Sequence, residues 1–271
     1  MGPLFWIIVS LCGLLLLLLL LYLLLLIRPR ARQPQNGALL CKYAHRGLHG
    51  RGIPENSRAA FDLACQKGFG IELDVQLSRD GEVMVFHDYT LDRVVGREGK
   101  LCDLDAAELG TLSLCGTDQT IPTFREVLTL VNGRVPILVE MKGESMDTSL
   151  CEKAAALLRE YEGLYCIESF NPLLLHEMRK HLPDAYYGLL YTNVCRDKKK
   201  KSLLNMALTA MALNILAKPN FIAYNQLDRD SLPVKLTTRL YRAPRFVWTA
   251  RREEERSRAD ALGECAIFEL D

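Results

Sequence analysis

From residue 71 to 88 the chain reads Ile-Glu-Leu-Asp-Val-Gln-Leu-Ser-Arg-Asp-Gly-Glu-Val-Met-Val-Phe-His-Asp. Glu72 and Asp74 stand two apart among strand formers, and side chains at i and i+2 of a strand share a face, so two carboxylates project together. Such a pair is a candidate site for a hard metal ion. A second strand-like run, 82–86, delivers His87 and Asp88 at its end. Upstream, Ala44-His45-Arg46-Gly47 follows a short apolar run, and downstream Ile137-Leu138-Val139-Glu140-Met141-Lys142 ends another in a carboxylate and a lysine. These strand ends carry histidines, carboxylates, an arginine and a lysine, an inventory suited to a divalent cation together with a phosphoryl group.

Chemistry on a phosphoryl group requires neutralised non-bridging oxygens, an activated nucleophile and a protonated leaving group. Glu72, Asp74 and Glu140 are the expected metal ligands, because three converging carboxylates without a cation would repel one another and be partly protonated. Oxygen-only ligands favour Mg2+ or Ca2+ over zinc. His45 and His87 are the candidate acid and base, since imidazole titrates near neutral pH. Residue type alone leaves open which is which. Lys142 is expected either to neutralise phosphate or to pair with a metal-binding carboxylate, and a solvated lysine fits the pattern as well.

In order, His-Arg-Gly (45–47), Pro-Glu-Asn (54–56), Glu-x-Asp (72–74), His-Asp (87–88) and Glu-x-Lys (140–142) resemble the motifs of the glycerophosphodiester phosphodiesterases. The resemblance runs from about Cys41 to the C-terminus. It implies acid–base work for His45 and His87, phosphate contact for Arg46, and hydrolysis of a glycerophosphodiester to glycerol 3-phosphate and an alcohol. It also matches Trp248 to a family tryptophan near the site mouth, where an aromatic wall could pack on a glycerol or choline-like group; a core tryptophan is the plainer alternative. Near the end the chain departs from the family: the usual Gly-x-x-Gly-Ile-Ile-Thr-Asp strand is here Gly-Glu-Cys-Ala-Ile-Phe-Glu-Leu-Asp. Substrate contacts from that edge are therefore not carried over.

The elements that would position these residues alternate. Ser57 or Asn56 precedes an amphipathic run to Gly68, an N-capped helix. Helical patterns recur at 106–109, 123–131, 149–161, 172–181 and 251–262, and strand-like runs at 135–140, 165–169, 187–191, 221–224, 245–248 and 266–270. With three earlier candidates this makes nine strands for the eight places of a (β/α)8 TIM barrel, so one must lie elsewhere. Between Asp74 and His87 there is no room for a helix; we expect an extended return through 76–82, descending the barrel and turning at Asp80-Gly81.

Composition is that of an ordinary globular enzyme, 49% apolar and 25% charged in 271 residues, and the net charge of +1 gives no argument for nucleic acid. Nine cysteines with irregular spacing and no Cys-x-x-Cys pair read as free thiols, which suits a reducing compartment. Residues 4–27 are uncharged and almost wholly apolar, long enough at about 36 Å to cross a bilayer. No basic n-region or cleavage site marks a signal peptide. Arg28, Arg30 and Arg32 follow, whereas only the α-amino group precedes, so the catalytic domain is expected on the cytoplasmic side of a single-pass anchor. The division expected is residues 1–27 transmembrane helix, 28–40 irregular linker and 41–271 barrel domain.

Four lysines at 198–201 precede the uncharged stretch 203–217, which as one helix of about 22 Å is too short to span. It reads as a buried barrel helix or as a membrane-surface helix whose lysines meet anionic lipid. Three functions follow: a membrane-anchored glycerophosphodiesterase, a lysophospholipase D using the same site on a lipid in the bilayer, and a non-enzymatic membrane-tethered binding module. The last would need broken metal and histidine positions, and all are intact.

Overall fold

The computed structural model describes residues 2–143 and 146–270. Met1 with its α-amino group and Asp271, both counted in the expected segments, lie outside the described residues. Among the described residues there are nine strands: β1 (Tyr43–Ala44), β2 (Gly70–Leu77), β3 (Val83–Val85), β4 (Ile137–Met141), β5 (Tyr165–Ser169), β6 (Tyr186–Tyr191), β7 (Phe221–Asn225), β8 (Arg245–Ala250) and β9 (Cys265–Phe268). Eight are parallel, and β1 pairs with both β9 and β2, which closes the sheet into a barrel. The helices are α1 (Pro3–Leu21), α2 (Arg58–Lys67), α3 (Asp92–Val95), α4 (Ala106–Leu109), α5 (Phe124–Val131), α6 (Ser149–Glu160), α7 (Pro172–His181), α8 (Val194–Asp197), α9 (Leu203–Thr209), α10 (Asn214–Ala217), α11 (Leu232–Lys235) and α12 (Glu253–Leu262). A TIM barrel is the architecture the alternation predicts.

The ninth strand is β3, and its path corrects one expectation. The chain does not descend the barrel after Asp74. β2 runs on to Leu77, turns over 78–81, and β3 returns antiparallel with Val75 opposite Val85. The Phe86 N–H then donates to the Asp74 carbonyl, so His87 arrives at the level of Asp74. Eight residues of β2 are too many for the barrel wall alone, and the surplus builds a hairpin above it. The excursion that follows buries Met84, Phe86, Leu91, Val94, Leu101, Leu109, Leu114 and Ile121 as a small core of its own.

Local signals explain most boundaries. The Ser57 hydroxyl caps α2 by accepting from the Ala60 N–H at 3.1 Å, and Gly68 ends it in the left-handed region. Thr123 and Glu126 form a reciprocal capping box on α5. Inside the barrel, Tyr43, Tyr186, Phe221 and Phe246 stack in the lower layer, closed beneath by Leu39. Gly188 is required there, because a Cβ at that position would lie 2.1 Å from the Phe221 ring.

The stretch 203–217 is not one helix. It breaks into α9 and α10 around a turn, and α10 packs on α7 while α9 leaves Leu203, Leu204 and Met206 exposed. The apolar N-terminal helix is also not uniform. α1 is exposed along its whole length, whereas residues Tyr22–Leu26 form a wider π-helical turn and Ile27 is fully buried in the helix–strand core. Residues 28–40 are irregular but lie on the barrel: the Arg30 N–H donates to the Pro219 carbonyl, and the Tyr186 hydroxyl to the Arg32 carbonyl.

Candidate active site

Strand register assembles the acidic residues. Asp74 pairs with Glu140 on β4, and Glu140 with Glu168 on β5, so three carboxylates stand side by side at one level of the barrel interior, with Glu72 one step below Asp74 on the same face. The corresponding lower positions on β4 and β5 are Leu138 and Cys166, which face the aromatic layer. Apolar residues thus fill the barrel up to one level, and acids replace them above it.

Glu72, Asp74 and Glu140 are buried and offer oxygens within 4.8 Å of one another. Lys142 bridges two of them, its Nζ 2.8 Å from Asp74 Oδ1 and 2.6 Å from Glu140 Oε1. It is therefore not a solvated lysine. Burial, reinforced by Asp74, Glu140 and Glu168, pushes Glu72 well above the usual carboxylate range. Burial also raises Glu140, to about 7, against the pull of Lys142. At Asp74 the same burial is outweighed by Lys142, His87 and Arg46, which hold it ionised. A cluster in which some carboxylates are forced to keep protons is under-compensated. These donors fit a hard divalent cation, and nothing in the set is soft enough to prefer zinc.

Glu168 was not found from the sequence. It is buried beside Glu140, its Oε2 has no hydrogen-bond partner, and burial with the Glu140 charge raises it well above its ordinary range. The signal was only a glutamate at a strand end before Ser-Phe-Asn, and its parity with Glu140 emerges only from the register.

The His-Arg-Gly segment follows β1. His45 Nδ1 and Glu269 Oε1 are 2.7 Å apart, and His45 Nε2 lies 4.0 Å from Glu72. Burial lowers the His45 pKa, with Glu269 opposing the shift. The Arg46 N–H donates to Glu72 at 2.8 Å, while its guanidinium donates to Glu55 at 2.7 Å and comes within 3.6 Å of Asp74. Gly47 sits at φ +78°, where a Cβ would be 2.8 Å from that of Ala60. Asn56 is more than a helix-cap neighbour: its Nδ2 donates to Asp74 at 2.8 Å and its N–H to the Arg46 carbonyl.

His87 Nδ1 is 2.6 Å from Asp88, and burial lowers its pKa as well, against the pull of Asp74. Arg93 ties Asp88 to Glu55 with hydrogen bonds of 2.7 and 2.8 Å, which links the loop of His87 to that of Arg46. Glu55, in the Pro-Glu-Asn segment expected to orient the His-Arg-Gly loop, holds Arg46 there, whereas Arg93 and Glu269 are further residues that the sequence reading did not place. Each histidine is held at Nδ1 by a carboxylate, leaving Nε2 for other work.

His45, Arg46, Glu72, His87, Glu140, Glu168 and Trp248 all line one cavity of about 320 Å³ at the C-terminal ends of the strands. This is where TIM-barrel sites form. Trp248 donates from Nε1 to the Ala223 carbonyl and meets Phe170 edge to face, and with Leu227 they make an apolar wall. A profile of the glycerophosphoryl diester phosphodiesterase family matches residues 45–268. The chain belongs to this family.

A glycerophosphodiester phosphodiesterase of Caldanaerobacter subterraneus is 37% identical over 55% of this chain and 65% of its own length. The Bacillus subtilis protein YhdW is 35% identical over 81% of this chain and 90% of its own. Human glycerophosphodiester phosphodiesterase 1 is 30% identical over 61% and 51%, so the aligned stretch spans about half of that relative and just under two thirds of the Caldanaerobacter one. Among solved structures, an Oleispira antarctica phosphodiesterase in complex with the product sn-glycerol-3-phosphate superposes with a TM-score of 0.69 at 23% identity, covering 84% of this chain and 92% of that one. The Thermotoga maritima glycerophosphodiester phosphodiesterase gives 0.64 at 25%, covering 84% and 94%.

Proposed function

We propose that this protein hydrolyses glycerophosphodiesters to glycerol 3-phosphate and an alcohol, with one divalent cation, Mg2+ or Ca2+, held by Glu72, Asp74 and Glu140. The observation that carries this reading is that Glu72 and Glu140 of that acid cluster line one cavity with His45 and His87, with Asp74 buried between the two acids. The cation supplies charge neutralisation at the phosphate oxygens. Arg46 binds phosphate, with its guanidinium braced by Glu55, and Lys142 keeps Asp74 ionised. His45 and His87 move the two protons, one taking the nucleophile's and the other supplying the leaving group's, each steadied at Nδ1 by Glu269 or Asp88. Trp248 offers an aromatic wall to a glycerol or choline-like group of the substrate.

A second reading, lysophospholipase D action on a membrane lysophospholipid, is favoured by the apolar wall of Phe170, Leu227 and Trp248. Turnover of glycerophosphocholine against lysophosphatidylcholine during metal titration separates the two. Release of glycerol 3-phosphate only from the first supports the diesterase; absence of cation-dependent release from both overturns either.

We assign residues 1–27 to a single-pass membrane anchor whose base, 22–27, docks on the barrel, 28–40 to a linker laid along it and 41–271 to the catalytic domain, on the cytoplasmic side that Arg28, Arg30 and Arg32 favour. The span Pro3–Leu26 has a mean hydropathy of 3.1 and no buried window. A membrane-impermeant thiol label that reached the exposed Cys102 and Cys115 in intact cells would reverse the orientation.

A further inference from the structure

The apolar N-terminal helix meets the barrel at a definite height and in a definite direction. Arg30 bonds to Pro219, immediately before β7 begins, and so lies at the N-terminal end of the strands. Ile27 bonds through its carbonyl to Asn214 Nδ2 at 2.6 Å, in α10. The Tyr22 hydroxyl donates to the Ala210 carbonyl at 2.8 Å, next to the Thr209 carbonyl that accepts from the Tyr191 hydroxyl at 3.0 Å. Tyr191 closes β6 at the C-terminal end of the strands. Passing from Arg30 back to Tyr22, the chain therefore climbs the barrel wall from the closed end toward the catalytic end. α1 continues beyond it, 19 residues and about 28 Å long, with no buried residue.

An apolar surface lies at that same end. Leu203 is 87% exposed on α9, with Leu204 and Met206 beside it, and Leu227 at the rim of the active-site cavity is 78% exposed. Lys198, Lys199, Lys200 and Lys201 precede α9 and are exposed. Large exposed side chains clustered beside one another mark an interaction surface, and apolar residues flanked by lysines are the composition that enters the interface of an anionic bilayer. α9 is joined to the helix base through Ala210, so this surface is continuous with the span.

From this direction and continuity we infer that the catalytic mouth faces the bilayer, with Leu203, Leu204 and Met206 seated at the headgroup–acyl boundary. The inference rests on reading α1, the exposed part of the apolar segment Pro3–Leu26, as the membrane span. Its consequence is that the 320 Å³ cavity opens toward the lipid surface, so the diester reaches His45 and His87 from the membrane interface.

The test reconstitutes the full chain in phosphatidylcholine vesicles containing phosphatidylglycerol and a phosphatidylcholine with a diazirine near the glycerol end of its acyl chain. After irradiation, labelled peptides are mapped by mass spectrometry, and turnover of glycerophosphocholine is read in parallel. Expected is labelling of α1 and of 203–206, with none over 182–185 at the opposite end. Leu203→Ser with Leu204→Ser should lower labelling of α9 and turnover of a vesicle-held diester by about 100-fold, the scale of losing two buried leucines, and leave soluble-diester turnover unchanged. Labelled α1 with bare 203–206, or with label at 182–185, overturns the inference alone. Unlabelled α1 overturns the anchor and the inference together. Labelled 203–206 without soluble turnover supports the orientation and counts against the phosphodiesterase reading.

Discussion

His45 and Glu269 are joined by a 2.7 Å contact between Nδ1 and Oε1, so the strand that opens the barrel and the strand that closes it meet in one side-chain pair. Burial raises the Glu269 pKa, but hydrogen bonds from His45 and Arg251 outweigh it and hold the carboxyl down at about 2. Its contribution to stability is then full above its ordinary value of 4.5 and lost as pH falls through about 2. The anion also opposes the depression of His45. Glu269→Gln should therefore move the limb of the pH–rate profile that reports His45 to lower pH, without abolishing metal binding. An unmoved limb, or one moved upward, would show that the carboxylate does not tune the imidazole.

His45→Ala and His87→Ala should each leave cation affinity nearly normal and lower turnover by about 100-fold or more, the scale of general acid–base catalysis. A p-nitrophenyl diester has a good leaving group and needs little protonation. It should rescue whichever variant lacks the acid and leave the other impaired, which assigns the two roles. Wild-type turnover by either variant on the natural diester would make that histidine structural.

Glu72→Gln keeps shape and removes charge. Activity should fall and return in part at high cation concentration, because a weakened ligand set is still occupied by mass action. Isothermal titration of the cation reads the affinity directly, and unchanged affinity would remove Glu72 from the ligand set.

Gly188→Val places methyl groups where the Phe221 ring already stands, with the Cβ itself only 2.1 Å from that ring. Overpacking of this kind costs about 1–3 kcal/mol. A lower Tm is expected, recovered in part by Phe221→Leu. A Tm equal to wild type would mean that the aromatic layer is looser than its stacking implies.

A chain beginning at Pro34 should fold and turn over small diesters, yet melt below one beginning at Tyr22. It lacks Ile27, fully buried in the core, and the Asn214 bond to the Ile27 carbonyl. Burying such a side chain stabilises by about 1.5–3 kcal/mol. Equal melting temperatures would show that the segment docks without contributing.

The strands and helices were legible because their signals are local: capped starts at Ser57 and Thr123, and β-branched or aromatic runs bounded by turns. Of the acid cluster, Glu72 and Asp74 were legible because parity on one strand puts them on one face, and Glu140 because it ends a strand run, although only register brings it beside Asp74. Glu168, Glu269 and Arg93 were not, since each acquires its place from register or from a loop crossing, which no window of sequence contains. The path after Asp74 was misread for a related reason. Extended residues fit a descent and an upward hairpin equally, and only the packing of Met84 and Phe86 against the small upper core selects the second.

The two-residue strand β1 has one further consequence, for biosynthesis. It is held on one side by β2 and on the other by β9, with His45 N–H bonded to the Phe268 carbonyl. Chains emerge N-terminus first and fold as they do. The carboxylates Glu72, Asp74 and Glu140, all supplied by residue 140, are made long before His45 acquires its partner. The His45 loop acquires its Phe268 backbone bond and its Glu269 contact only after β9 has been translated, so the acid cluster can gather on the growing chain before the pair that joins its two ends exists.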